Sequence, residues 1–77
     1  MSTFKIQRAR EYTHIQSTPS TEWDIEYGQS FVPIVEVLID NNGQLEKIIP
    51  SSIERITNSR VNIFFSQPFF GQAHLVG

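Results

Sequence analysis

The chain has 77 residues and no cysteine, and its net charge of −2 comes from six Lys and Arg against eight Asp and Glu. A domain this short buries only about 60% of its unfolded surface, so without disulfides we expect a single domain stabilised by self-association. The cations are dispersed apart from Arg8 and Arg10, which argues against a nucleic-acid partner, and no signal peptide or membrane-spanning run is visible, so we expect a soluble protein made in a cytoplasm.

Alternation of apolar and polar residues recurs in short segments separated by Gly, Pro, Asn and Ser, whereas helical periodicity is hard to find. We therefore predict an all-β fold, a small antiparallel β-sandwich of about six to seven short strands over residues 12–77. Residues 1–11 are predicted to be an N-terminal arm or a short edge strand, with a frayed terminus as the plain alternative. An arm that reaches a neighbour would suit an oligomer.

Two strands are predicted in the N-terminal half of the domain. Residues 12–17 (YTHIQS) form the first, and the polar cluster around Pro19 predicts a turn after it. Residues 23–27 (WDIEY) form the second, because their apolar and acidic side chains alternate. Its apolar face consists of Trp23, Ile25 and Tyr27.

The next segments predict a hairpin. Residues 33–40 alternate, and the sequence DNNG that follows suits a tight turn because Asn42-Gly43 tolerates positive φ angles. Residues 45–49 then return alongside, with Pro50 restricting this strand to an edge or a bulge. The core side of the first strand consists of Val35, Val37 and Ile39.

The C-terminal part is predicted to contain two further strands. The spacing of Ile53 and Ile56 fits neither a plain strand nor a helix, which predicts a bulge. Residues 60–66 then alternate, Pro68 is expected to end that ladder, and residues 71–77 begin a closing strand. The inward side chains are predicted to be Val61, Ile63, Phe65, Ala73 and Leu75.

Catalytic and metal sites find little support in the sequence. Asp24 and Glu26 share a strand face and resemble a carboxylate pair, but charges on an outer strand face are ordinary. His14 and His74 are far apart and no serine or cysteine has a nucleophile context, while DNNG lacks the spaced ligands of a calcium loop. We expect no enzyme, no metal and no cofactor.

Binding surfaces are better supported. Tyr27 and Phe31 are candidates for stacking on sugar rings, whereas Trp23 is assigned to the core. Several large apolar residues are expected to point away from the core, where a monomer would carry polar groups. Either a second sheet covers them or neighbouring subunits do, and we favour the subunits. This candidate interface consists of Ile34, Leu38, Phe64, Phe70 and Val76.

A spaced series of residues runs through most of the chain: Gln16, Pro19, Trp23, Ile25, Pro33, Val35, Val37, Asp40, Gly43, Asn58, Phe65, Ser66, Pro68, Phe69, Gly71, Ala73 and Leu75. Over residues 12–76 this series resembles a small β-sandwich module of bacteriophage virion proteins, often found at the C-terminal end of tail fibres. The sequence departs from that pattern at Tyr27, where the family often has His, and at Gln29-Ser30, where it has Leu-Gly.

The resemblance implies a sandwich fold and a place in the virion, and it supplies no catalytic residues. We expect a phage structural protein, associated with the tail or a fibre, that self-associates and docks onto another virion protein after assembly in the host cytoplasm. The alternatives are a capsid decoration or head-fibre protein and a module that binds glycans of the host surface. No nucleic acid or membrane partner is expected.

Overall fold

The computed structural model describes residues 11–28 and 32–77. The arm predicted for residues 1–11 therefore lies, except for Glu11, outside the described residues. The described part of the chain is all-β and contains five strands and no helix. The strands are β1 (Glu11–Glu26), β2 (Ile34–Asn41), β3 (Gln44–Ile48), β4 (Ser52–Thr57) and β5 (Arg60–Val76).

All five strands belong to one antiparallel sheet, in which β5 has the central place. One edge of β5 pairs with β1 along almost its whole length. The opposite edge pairs first with β4, where Ile63 lies opposite Ile53, and then with β2, where Ala73 lies opposite Val37. We call the part that contains β4 the first half of the sheet and the part that contains β2 and β3 the second half.

The pairing of β1 with β5 is interrupted between the two halves. Its register shifts between Gln16 and Ser20 and again between Ser20 and Glu22. Pro19 and Pro68 both lie in this break, where a missing N–H removes no ladder hydrogen bond. Bulges of this kind bend a strand without ending it. The predicted turn at Pro19 and strand end at Pro68 are therefore irregularities within two long strands. As a result, residues 11–28 and 32–77 form five strands instead of the six to seven that the sequence predicted.

The bend lets side chains from both halves share one core. Trp23 lies at its centre: its Nε1 donates a hydrogen bond to the Phe69 carbonyl oxygen at 3.1 Å, and its ring centroid is 4.8 Å from that of Phe65. The Phe65 and Phe69 rings meet edge to face at 5.5 Å. Every inward residue predicted from the alternation lies in this cluster or packs against it. The buried members are Trp23, Ile25, Tyr27, Val37, Ile39, Val61, Ile63, Phe65, Ala73 and Leu75, with Val35, Ile48 and Phe69 packed against them.

Two local predictions are confirmed by the backbone. Asn42 and Gly43 have φ angles of 56° and 88°, as a two-residue turn with both central residues at positive φ requires, and they join β2 to β3. The Asp40 carboxylate stabilises this turn by accepting a 2.8 Å hydrogen bond from the Gly43 N–H. In β4 the register shifts between Arg55 and Thr57, which is the bulge that the isoleucine spacing indicated.

Gly71 is the point at which β2 comes closest to β5. Its φ is +156°, and a Cβ at this position would collide with the Leu38 carbonyl oxygen and lie 2.7 Å from the Ile39 Cα. Both neighbours are backbone atoms of a paired strand, so they cannot move aside without breaking the ladder. Only glycine lets the second half of the sheet pair correctly at the bend.

Gly71→Ala is therefore expected to lower the free energy of unfolding by about 3 kcal/mol, through backbone collision and strain. Gly43→Ala is the matched control, because Gly43 also has a positive φ but a Cβ added there would meet no atom within 4 Å. It is expected to cost about 1 kcal/mol. Urea unfolding followed by Trp23 fluorescence measures both, and equal losses would contradict the assigned close approach.

Candidate interaction surface

The face of the second half that points away from the core carries several exposed apolar side chains. Cross-strand pairing places Val76 directly opposite Ile34, and it places Gln72 between Ile15 and Leu38. Ile34 is 76% exposed and Ile15 is 63% exposed, while Leu38 and Val76 are half-buried. We call this surface, with Leu45 of β3 at its border, the outer face of the second half.

A polar row divides these apolar residues. Thr13, His74 and Glu36 lie side by side across three strands, between the row of Ile34 and the row of Leu38. The Thr13 Oγ1 and His74 Nδ1 atoms are 3.2 Å apart, and Lys47 lies 3.6 Å from Glu36. The surface is therefore mixed, with apolar rows flanking polar ones, which is typical of interfaces between proteins that also exist separately.

The five residues of the predicted interface do not form one patch. Ile34, Leu38 and Val76 share the outer face of the second half, and Phe70, 38% exposed, lies next to Gly71 at the bend. Phe64 belongs to the first half, where it is half-buried between Glu22 of β1 and Ser52 of β4. The structure thus brings three of the five together and separates Phe64 from them.

Further exposed apolar residues were not predicted. Ile15 and Leu45 extend the outer face of the second half, and the exposed side chains of Ile49, Ile53 and Ile56 lie on and before β4. The sequence predicted a strand that contains Ile15. It did not show that Ile15 and Leu38 lie in the same row across the sheet, on either side of Gln72. That alignment depends on the pairing of β1 with β5, whose residues are distant in the chain.

The outer face of the first half is acidic. Glu22, Asp24 and Glu26 alternate along β1 with the buried Trp23 and Ile25, so all three carboxylates project to the same side. Arg60 is 3.1 Å from Glu26 and 3.3 Å from Asp24, and Asn62 donates a 2.9 Å hydrogen bond to Glu22.

These contacts hold the Asp24 and Glu26 pair in a structural role. Hydrogen bonds from the Ser59 hydroxyl and then from Arg60 lower the pKa of Glu26, and Glu26 in turn raises the pKa of Arg60. A general acid needs the opposite shift, because it must hold its proton near neutral pH. The carboxylate that was a candidate for acid–base chemistry is thus an ionised partner of Arg60.

Of the two aromatic candidates for glycan stacking, only Tyr27 lies within the described residues. Tyr27 is 3% exposed, and its hydroxyl donates a 3.0 Å hydrogen bond to the Asn58 carbonyl oxygen. A buried ring has no free face for a sugar, so the structure places Tyr27 in the core instead. Phe31 lies outside the described residues.

Neither a metal cluster nor a spanning helix is found where the structure describes the chain. Residues 11–28 and 32–77 contain no group of three His, Cys, Asp or Glu side chains placed to hold a metal ion. The same residues contain no helix long and apolar enough to cross a membrane. Comparisons with protein-family models, curated proteins and solved structures found no match to this chain.

Glu26→Gln is expected to reduce stability at neutral pH and to flatten the loss of stability in acid. Because the pKa of Glu26 is lowered in the folded state, its contribution is complete above its ordinary value and is lost as pH falls through the lowered value. Urea midpoints at neutral pH and below the ordinary glutamate pKa measure this. Glu54→Gln is the control, since Glu54 has no salt bridge within residues 11–28 and 32–77. Parallel pH profiles for Glu26→Gln and the unmodified protein would contradict the assignment.

Proposed function

We propose that this chain is a small structural protein of a bacteriophage virion, of the tail-associated or fibre type, that self-associates and docks onto another virion component. The observation that carries the proposal is the exposed apolar side chains on the outer face of the second half. These are Ile15, Ile34 and Leu45, together with the half-buried Leu38 and Val76.

The physical reason is that a small domain gains little from leaving such residues in water. A single exposed isoleucine needs no explanation, but side chains that line adjacent strands on one sheet face mark a contact surface. Ile34 and Val76 lie directly opposite each other, so a partner would cover both at once. The polar row of Thr13, His74 and Glu36 would then supply hydrogen bonds and register.

The resemblance to the virion module supports a place for this chain in the phage particle. Three of the residues that carry it have demanding positions in this fold: Trp23 fills the bend, Phe69 accepts its hydrogen bond, and Gly71 permits the approach of β2. The bent sheet closes its two halves over one core, and we propose that this closure is the small sandwich that the resemblance implies.

Ile34→Asp is expected to weaken self-association about tenfold or more, because burying an isoleucine side chain contributes roughly 1.5–3 kcal/mol. Sedimentation velocity over a range of protein concentrations measures the effect. Ile49→Asp is the matched control: Ile49 is 92% exposed but lies outside both outer faces, between β3 and β4, so association should be unchanged. An unmodified protein that stays monomeric at every concentration would overturn the proposal.

The virion setting has its own test. Antibodies raised against the purified protein are expected to label intact phage particles at the tail or its fibres in immunogold electron microscopy. Labelling confined to the capsid would replace the tail position by a decoration role on the head. Particles without label, from a lysate in which the protein is present, would contradict a virion component altogether.

A further inference from the structure

The charges of this chain are separated along its sequence. Residues 1–10 contain Lys5, Arg8 and Arg10 and no acidic residue. Residues 11–77 contain the remaining three basic residues and all eight acidic residues. The two parts therefore have opposite net charge, which favours contact between them.

The acidic charges face outward along an open edge of the sheet. Glu22, Asp24 and Glu26 line β1, and Glu54 lies on the same side, two strands away, with Arg60 offsetting part of their charge. Within the described sheet β1 pairs with β5 alone, so no strand covers its other edge. The main-chain N–H and C=O of Glu22 are hydrogen-bonded to the Ser20 hydroxyl at 3.2 and 2.8 Å, so the main-chain groups available for pairing are those of the residues that follow Glu22. An added strand could use those groups.

The same edge is poorly suited to pairing with another β1. An antiparallel copy centred on Asp24 would place Glu22 opposite Glu26 and Asp24 opposite itself. Like charges directly opposite each other destabilise a strand pair. A strand that carries basic side chains on alternate residues fits instead, and Arg8 and Arg10 have that spacing.

The arm of the same molecule cannot reach this part of the edge by ladder pairing. A two-residue reversal directly before Glu11 would use Ala9 and Arg10 as the turn and would place Arg8 opposite Glu11 and Lys5 opposite His14, well short of Glu22. Residues 1–10 also contain no Gly, Pro, Asn or Asp to make such a turn. A basic strand at Glu22–Glu26 must therefore come from another molecule.

We propose that residues 1–10 of a second copy bind as an added strand along the free edge of β1 at residues 22–26, with Arg8 and Arg10 facing its carboxylates. Main-chain hydrogen bonds to the open edge provide affinity, and the charge pairs select the partner and its register. The inference rests on the proposed self-association and specifies its mode. It adds an exchanged arm to the contacts made by the outer face of the second half.

A pair of charge-swapped variants tests this contact. Arg8→Glu/Arg10→Glu makes the arm acidic, and Glu22→Arg/Asp24→Arg makes the edge basic while Arg60 keeps its contact with Glu26. Each variant alone is expected to associate at least about tenfold more weakly than the unmodified protein, because attraction becomes repulsion. A one-to-one mixture restores complementarity in both directions. We expect its mixed association to return to within about threefold of the unmodified protein.

Controls separate charge pairing from folding and from net charge. Trp23 fluorescence reports whether each variant is folded, and Glu22→Gln/Asp24→Asn provides a milder change if the arginine variant unfolds. Arg55→Glu/Ile49→Asp makes the net charge three units more negative, against four for the arm variant, but leaves the arm and the outer face of the second half intact, so it should not reproduce the loss. Raising salt to 1 M should weaken the unmodified association, because charges are then screened over about 3 Å.

The outcomes distinguish this inference from the proposed function. Association that survives Arg8→Glu/Arg10→Glu but is lost in Ile34→Asp overturns the exchanged arm and leaves self-association standing. A mixture that fails to recover association also overturns it, because complementarity between arm and edge is then not the cause. If the unmodified protein remains monomeric, both the exchanged arm and the proposed self-association are overturned.

Discussion

The fold depends on the bend that β1 and β5 make together and on the indole that fills it. Trp23 contacts Phe65 on one side of the break in pairing and hydrogen-bonds Phe69 on the other. Without a bend, a single sheet of five strands would have an uncovered apolar face, since no helix or second sheet lies over it among the described residues. The aromatic side chains at the bend lie in one core cluster with apolar residues of both halves.

The parts of this fold that could be predicted are those determined by neighbours in the sequence. The Asn42-Gly43 turn depends on two residues that accept positive φ, and the inward positions of Val37, Ile39, Val61 and Ile63 follow from alternation. The bulge of β4 was visible in the spacing of two isoleucines. Each of these features is independent of which distant strand lies alongside.

The remaining features depend on partners that are distant in the chain. A proline after a polar cluster normally indicates a turn, and only the common break opposite Pro68 shows that Pro19 lies inside a long strand. None of the five residues of the predicted interface belongs to the buried core cluster. The sequence did not show how they group, because Phe64 and Leu38 belong to different halves of the sheet. The sequence allowed Tyr27 to be either a core residue or a candidate for stacking on sugars. Its burial and its hydrogen bond to the Asn58 carbonyl oxygen show that it is a core residue.

The central position of β5 has a consequence for how the chain folds. It is the last of the five strands in the sequence, yet it pairs with β1, β2 and β4, so only the β2–β3 and β4–β5 hairpins can form from nearby residues. The long pairing of β1 with β5 slows folding, because the entropy of closing a long loop is lost before the contacts form. During synthesis β1 must wait, with Trp23 and Ile25 exposed, until the phenylalanine-rich strand emerges. The aromatic side chains crowded into β5 thus complete the core in a late and cooperative step.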